Sequence, residues 1–107
     1  MALREKESDV QKAILDYLAF KRIFAWRNNA GTAQVKMGNK EYWMQLAPKG
    51  SSDIIGIMPD GRFLAIEVKG TGGKPTDEQL AFLKHVNMVG GLGILAYSLD
   101  DVIAKCG

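Results

Sequence analysis

The feature that most constrains the fold is a pair of apolar runs joined by a short turn. Residues 54–58 (Ile-Ile-Gly-Ile-Met) and residues 62–66 (Arg-Phe-Leu-Ala-Ile) both have the β-prone composition of strands. Between them, Pro59-Asp60-Gly61 suits a type I turn that ends in a left-handed glycine. The sequence therefore predicts a β-hairpin with a three-residue loop, in which Met58 lies opposite Arg62.

This loop length decides which side chains meet at the open end of the hairpin. Counting back along both strands sets Asp53 opposite Glu67 on one face, with Cβ atoms roughly 5 Å apart. Two carboxylates that close repel each other unless they share a cation. Lys69 follows Glu67 by two positions and therefore shares its face; a surface ion pair is the alternative for these two residues. A two-residue loop, Asp60-Gly61, would instead pair Asp53 with Val68, and the carboxylates of Asp53 and Glu67 would no longer lie opposite each other.

A first helix is predicted before the hairpin. Its apolar residues recur at helical spacing up to about Lys21, and residues 8–11 (Ser-Asp-Val-Gln) have the form of a capping box. If the helix begins a turn earlier, Glu7 heads the apolar stripe and faces the sheet. The alternative for Glu7 is an exposed acid that is favoured by the helix dipole.

Two further segments lie between this helix and the hairpin. Residues 23–27 predict a short strand that ends in a turn at residues 28–31, with Trp26 as a core aromatic residue. Residues 33–47 predict two short strands around the turn Gly38-Asn39. Basic and aromatic side chains of the second segment suit either DNA contacts or a subunit interface.

The C-terminal part predicts a strand-helix-strand unit. Residues 76–79 (Thr-Asp-Glu-Gln) form a capping box that begins a second long helix, which Gly90-Gly91 ends. Residues 92–97 then form an apolar run typical of a buried strand, and residues 98–101 begin a last short helix. Because the unit requires parallel pairing, the whole chain is predicted to be an α/β fold with a mixed sheet flanked by helices.

Composition limits the classes of function. A chain of 107 residues predicts a single domain over residues 1–107, and a net charge of +2 permits a nucleic-acid partner without requiring one. Cys106 is the only cysteine, so neither an intrachain disulfide nor a Cys-based zinc site is expected. The charged N-terminus does not have the apolar core of a signal peptide, and no segment has the length of a membrane span. A cytoplasmic location is therefore expected.

The acidic motif resembles that of a known family. Asp53, Glu67-Val68-Lys69 and Gln79 occur in the order seen in PD-(D/E)xK nucleases, and specifically in the virus-type replication-repair nuclease (VRR-NUC) domain. The resemblance runs from Glu7 to about Val102, is weaker over residues 33–47, and includes residues 50–53 and 73–76. One departure is that Ser52, rather than proline, precedes Asp53.

The resemblance implies a restriction-endonuclease-like fold and a metal site. Mg²⁺ or Mn²⁺ would be held by Asp53, Glu67, the backbone carbonyl of Val68 and Glu7, with Glu5 as the fallback for Glu7. The catalytic residues expected from it are Glu7, Asp53, Glu67, Lys69 and Gln79. Lys69 would orient or help to deprotonate the attacking water.

Gln79 has two interpretations, a capping side chain that turns back on the backbone or an amide near the metal or the attacked phosphate. The resemblance favours the second. His85 falls on the opposite side of the helix and is not expected to act as a base.

The resemblance also implies a DNA substrate, with branched DNA as its class. A stand-alone domain of this size resembles Holliday junction resolvases. The alternatives are a flap or less selective endonuclease, a restriction enzyme and a DNA-binding module that does not cleave.

A homodimer is expected because paired cuts need two active sites. The first candidate for its interface is the set Tyr42, Trp43 and Met44, and the second is residues 99–106. The residues expected to contact nucleic acid are Arg27, Lys36, Lys40, Lys49 and Lys74.

Overall fold

The computed structural model describes residues 4–29 and 31–107. Ala30, which belongs to the predicted turn 28–31, and Met1–Leu3 of the charged N-terminus lie outside the described residues. The elements in chain order are α1 (Glu7–Phe20), β1 (Phe24–Arg27), β2 (Thr32–Met37), β3 (Lys40–Gln45), β4 (Ile54–Ile57), β5 (Phe63–Val68), α2 (Asp77–Met88), β6 (Leu92–Ala96) and α3 (Leu99–Cys106).

Four strands form a mixed sheet in the order β1-β4-β5-β6. β1 pairs with β4 and β4 with β5 in antiparallel fashion, whereas β5 and β6 are parallel and are connected through α2. The predicted α/β class, with an antiparallel hairpin joined to a parallel strand-helix-strand unit, is therefore confirmed.

The register of the central hairpin is the predicted one. Ile54 pairs with Ile66 and Ile57 with Phe63, and the amide of Met58 donates to the carbonyl oxygen of Arg62 at 2.8 Å. The loop between these strands contains Gly61 with φ of 93°, a left-handed conformation that glycine adopts without steric cost. The same count continued one residue before β4 places Asp53 beside Glu67 of β5.

The alternation of side chains along β5 divides the core into two layers. Leu64, Ile66 and Val68 face the layer that contains α1 and α3, while Ala65 faces α2. The larger layer buries the stripe Val10, Ile14 and Leu18 of α1. The smaller layer is formed where Leu83 and Val86 of α2 pack over β5 and β6.

Strands β2 and β3 form a separate two-stranded sheet, as predicted for residues 33–47. Gly38, in the turn, has φ of 65°. Every residue of β3 is exposed, including Trp43 at 73%. We call this hairpin, residues 32–45, the arm.

Two local predictions are wrong. Helix α1 begins at Glu7, its N-cap is Lys6 and it has no side-chain cap, so the capping box predicted at residues 8–11 does not form. Trp26 is 44% exposed rather than a core residue, because α2 packs on β5 and β6 and β1 lies at the opposite edge of the sheet. Trp26 instead makes an edge-to-face contact with Phe24, with ring centroids 5.3 Å apart.

Within the described residues, no helix is long and apolar enough to cross a membrane.

Candidate metal centre

Asp53 lies at the entrance to β4, one residue before the regular strand begins. Its Oδ2 atom accepts a hydrogen bond of 2.8 Å from the backbone amide of Val68, at the end of β5. Its own carbonyl oxygen accepts one of 2.7 Å from the backbone amide of Asn28, just after β1. Asp53 is therefore held between the two strands that flank β4.

Glu67 is a buried acid without a hydrogen-bond partner. Its residue is only 1% exposed, and neither carboxylate oxygen has a hydrogen-bond partner among the residues that the structure describes. Burial, followed by the neighbouring Asp53, raises the pKa of Glu67 to about 8, although the charge of Lys69 acts in the opposite direction. The Nζ atom of Lys69 lies 3.5 Å from Oε2 of Glu67, and this lysine side chain is 16% exposed.

Glu7, the first residue of α1, completes the group. Glu7, Asp53 and Glu67 each offer a carboxylate oxygen, and the three oxygens lie within 4.8 Å of one another. The start of α1 can approach the end of β5 because Gly70 has no side chain: a Cβ atom there would lie 2.8 Å from the carbonyl oxygen of Glu5 and 2.9 Å from the amide nitrogen of Glu7.

Two hydrogen bonds fasten the segment that precedes α1. The amide of Glu5 donates to Oγ1 of Thr71 at 2.8 Å, and the amide of Thr71 donates to the carbonyl oxygen of Glu5 at 3.0 Å. Glu5, the fallback for Glu7, thus contacts the loop after β5 through its backbone, while the carboxylate that joins Asp53 and Glu67 is that of Glu7.

This group of carboxylates fits a divalent cation. Carboxylate oxygens are the hard ligands that Mg²⁺ and Mn²⁺ prefer, and a buried carboxylate without hydrogen bonds is expensive unless a positive charge neutralises it. The Val68 amide contacts Asp53, and the proposal that the Val68 carbonyl also binds the metal stays a prediction.

Gln79 takes part in the capping box of α2. Its Oε1 atom accepts from the amide of Thr76 at 2.8 Å, and its own amide donates to Oγ1 of Thr76 at 3.1 Å. The side-chain oxygen of Gln79 therefore has the capping role. A role for its NH₂ group near the metal or the attacked phosphate stays a prediction. His85 is exposed on α2, as predicted.

The five basic residues predicted to contact DNA are all exposed. Arg27 ends β1, Lys36 and Lys40 lie on the arm, and Lys74 precedes α2. Lys49 lies 3.4 Å from a carboxylate oxygen of Glu78 in an exposed ion pair.

A cleft of about 340 Å³ lies beside the N-terminal end of α1 and does not include Asp53 or Glu67. It is lined by Arg4, Glu5, Asp9, Val10, Ala13 and Leu99.

The residues that position these carboxylates are not evident from the sequence alone. Gly70 belongs to the glycine-rich segment 70–73, whose composition indicates only that a strand ends, so its close approach to the start of α1 could not be predicted. Asn28 was interpreted as a turn residue, and its contacts depend on a loop more than 20 positions away.

Comparison with known proteins agrees with the geometry. A family model described as the VRR-NUC domain matches residues 5–99. The chain belongs to the VRR-NUC family. Membership implies a nuclease of the PD-(D/E)xK type that acts on DNA. No match was found among curated proteins or among solved structures.

Proposed function

We propose that this VRR-NUC chain is a Mg²⁺- or Mn²⁺-dependent endonuclease that hydrolyses phosphodiester bonds in branched DNA, with the four-way Holliday junction as its substrate. The observation that supports this most strongly is the buried carboxylate of Glu67, which lies within 4.8 Å of those of Glu7 and Asp53. Such a group is stable as an anion only beside a cation.

Each residue of the centre has a separate task in the proposed reaction. Glu7, Asp53 and Glu67 hold the cation, with the Val68 carbonyl as a further oxygen ligand. A bound Mg²⁺ or Mn²⁺ polarises the phosphodiester and makes water a competent nucleophile near neutral pH. Lys69, which is 3.5 Å from Glu67 Oε2, orients that water and offsets the negative charge of the transition state.

The surrounding surface supports DNA as the substrate. Exposed cations at Arg27, Lys36, Lys40, Lys49 and Lys74 neutralise backbone phosphates, which supplies affinity without reading sequence. A structure-selective enzyme needs this kind of contact. Resolution of a junction requires two opposed cuts and one chain carries one centre, so the active form is proposed to be a homodimer.

A second candidate is a flap or less selective DNA endonuclease. The exposed Trp26 belongs to β1 and pairs with Ile55, two residues from Asp53, while its neighbour Phe24 is 69% exposed. Aromatic side chains beside a nuclease centre suit stacking on unpaired bases, which are present in flaps.

The test is cleavage of a matched set of DNA substrates, namely a four-way junction, a flap, a linear duplex and a single strand, in Mg²⁺, Mn²⁺ or chelator. We expect paired cuts in the junction that require metal. Asp53→Asn and Glu67→Gln should each abolish cleavage while DNA binding is kept, since each change removes a ligand charge and little volume. Near-normal cleavage by either variant in Mn²⁺ would contradict the proposed centre, and preference for the flap would favour the second candidate.

A further inference from the structure

Asn28 makes three hydrogen bonds to the segment that carries Asp53. Its side-chain Nδ2 donates to Oγ of Ser51 at 3.1 Å and to the carbonyl oxygen of Ser52 at 3.0 Å. Its backbone amide donates to the carbonyl oxygen of Asp53 at 2.7 Å. Asn28 itself comes directly after β1, whose last residue, Arg27, pairs with Ile54.

These contacts lie where the sheet no longer fixes the backbone. Ladder pairing of β4 begins at Ile54, so Asp53 is outside the regular strand. The preceding residues are irregular, and Gly50 has φ of 82°. The strand register brings Asp53 beside Glu67, and the contacts made by this segment add to it where regular pairing of β4 has ended.

The geometry of the three bonds defines the direction of the Asp53 side chain. The Ser52 carbonyl belongs to the peptide group before the Asp53 Cα atom, and the Asp53 carbonyl belongs to the peptide group after it. Asn28 binds both groups and so fixes the φ and ψ angles of Asp53. The remaining freedom, rotation of the carboxylate, is limited by the Val68 amide at 2.8 Å.

We infer that Asn28 is a positioning residue that holds Asp53 in the orientation needed to bind the metal. The inference rests on the proposed function. Ser51 and Ser52 are buried, at 6% and 0% exposure, and Asn28 is partly buried. Loss of the Asn28 carboxamide therefore leaves the buried Ser52 residue without this hydrogen bond to its carbonyl oxygen. Residues that orient metal ligands typically contribute 10- to 100-fold to metal affinity.

The test measures Mn²⁺ binding by titration calorimetry and cleavage as a function of Mn²⁺ concentration. Asn28→Ala removes the two side-chain donors and keeps the backbone bond to Asp53. We expect binding to weaken by about 10-fold or more. The Mn²⁺ concentration for half-maximal cleavage should rise by the same factor, while the rate at saturating Mn²⁺ stays close to that of the wild type, because excess metal restores the occupied centre.

A second variant separates the effect of the Asp53 orientation on Mn²⁺ binding from the effect of charge at position 28. Asn28→Asp has the same shape, but its carboxylate accepts hydrogen bonds and cannot donate them. Its added negative charge alone would tighten the binding of a cation, whereas loss of the bond to the Ser52 carbonyl oxygen weakens it; the Ser51 hydroxyl can still donate to the new carboxylate. We expect weaker Mn²⁺ binding than in the wild type.

Asn29→Ala is the matched control. Asn29 is the neighbouring exposed asparagine; among the described residues its side chain accepts a single, local hydrogen bond, from the amide of Gly31 at 3.3 Å. Binding by Asn28→Ala or Asn28→Asp as tight as that of Asn29→Ala, measured well below the Tm of each protein, would overturn the inference while leaving the metal centre intact. A wild-type chain that binds no Mn²⁺ would overturn the proposed function itself.

Discussion

At the scale of single residues, the centre is defined by a carboxylate that is unfavourable in the absence of a cation. Glu67 is 1% exposed, and Asp53 and Glu7 add negative charge to its surroundings. Lys69 offsets part of this charge from 3.5 Å but does not prevent the pKa of Glu67 from rising to about 8. The raised pKa favours the protonated form of Glu67 in the metal-free protein, whereas a bound cation favours the carboxylate.

This protonation predicts how the stability of the metal-free protein depends on pH. The folded pKa, about 8, lies above the ordinary value of 4.5, so the folded state binds more protons than the unfolded state between these values. The free energy of unfolding therefore contains a contribution that is complete below about pH 4.5 and is lost as pH rises through about 8. Thermal unfolding in chelator should show a falling Tm over this window.

Glu67→Gln provides the control for this effect, because the amide resembles the protonated acid and does not titrate. The Tm of this variant should change less with pH than that of the wild type, and Mn²⁺ should raise the Tm of the wild type most at the alkaline end of the window. Parallel pH profiles for the two proteins would contradict the assignment of the shift to Glu67.

Prediction from sequence succeeded for residues whose positions follow from local geometry. It failed for residues whose position or exposure is determined by contacts with distant parts of the chain. The pairing of Asp53 with Glu67 follows from the length of one loop. The place of Glu7 could not be decided from spacing, because it depends on the close approach that Gly70 permits. The exposure of Trp26 depends on which strands α2 covers, and no periodicity in β1 contains that information.

At the scale of elements, most strands and helices were predictable because turn residues or a capping signal mark their ends. The capping box at the start of α2 forms as the sequence indicates, through Thr76 and Gln79. The box at residues 8–11 does not, because α1 begins earlier, where the preceding segment is bound to Thr71. A helix start held by tertiary contacts thus overrides a local capping signal.

The two roles of Gln79 can be separated with a substitution that keeps the cap. Glutamate also serves at this position of a capping box, so Gln79→Glu should keep the Tm but lose the NH₂ donors. We expect it to slow cleavage. Thr76→Ala is the control, because it breaks the cap from the other side; it should reduce the free energy of unfolding by about 1 kcal/mol with little change in turnover. Normal cleavage by Gln79→Glu would leave Gln79 with a capping role alone.

At the scale of the whole molecule, the chain is more extended than a compact domain of its length. Its radius of gyration is 15.2 Å, compared with about 13 Å expected for 107 residues. The arm, residues 32–45, forms its own two-stranded sheet. A two-stranded hairpin is marginally stable in water unless something packs against it, so a partner for the arm would stabilise it.

The arm has one face suited to such a partner. Val35 pairs with Tyr42 and Ala33 with Met44, so these four side chains share a face; Tyr42 is 48% and Met44 55% exposed. Apolar and aromatic residues of this kind are typical of the centre of a subunit interface. Of the predicted interface residues, Tyr42 and Met44 belong to this face, whereas Trp43 pairs with Gln34 and lies on the opposite face. The sequence could not decide between the arm and the C-terminal helix.

The proposed homodimer can therefore be tested together with its interface. Light scattering should give the wild type twice its chain mass of 11.7 kDa. Tyr42→Lys combined with Met44→Lys places two charges on the apolar face of the arm and should give a monomer that still binds Mn²⁺, because the arm contributes no residue to the carboxylate cluster. The monomer should lose paired cutting of the junction, since the two incisions would no longer be made by one assembly. Ile103→Lys, on the exposed face of α3, is the control and should remain a dimer. If this variant dissociates and the arm variant does not, the interface lies on α3. A monomeric wild type that cuts junctions symmetrically would contradict the dimer itself.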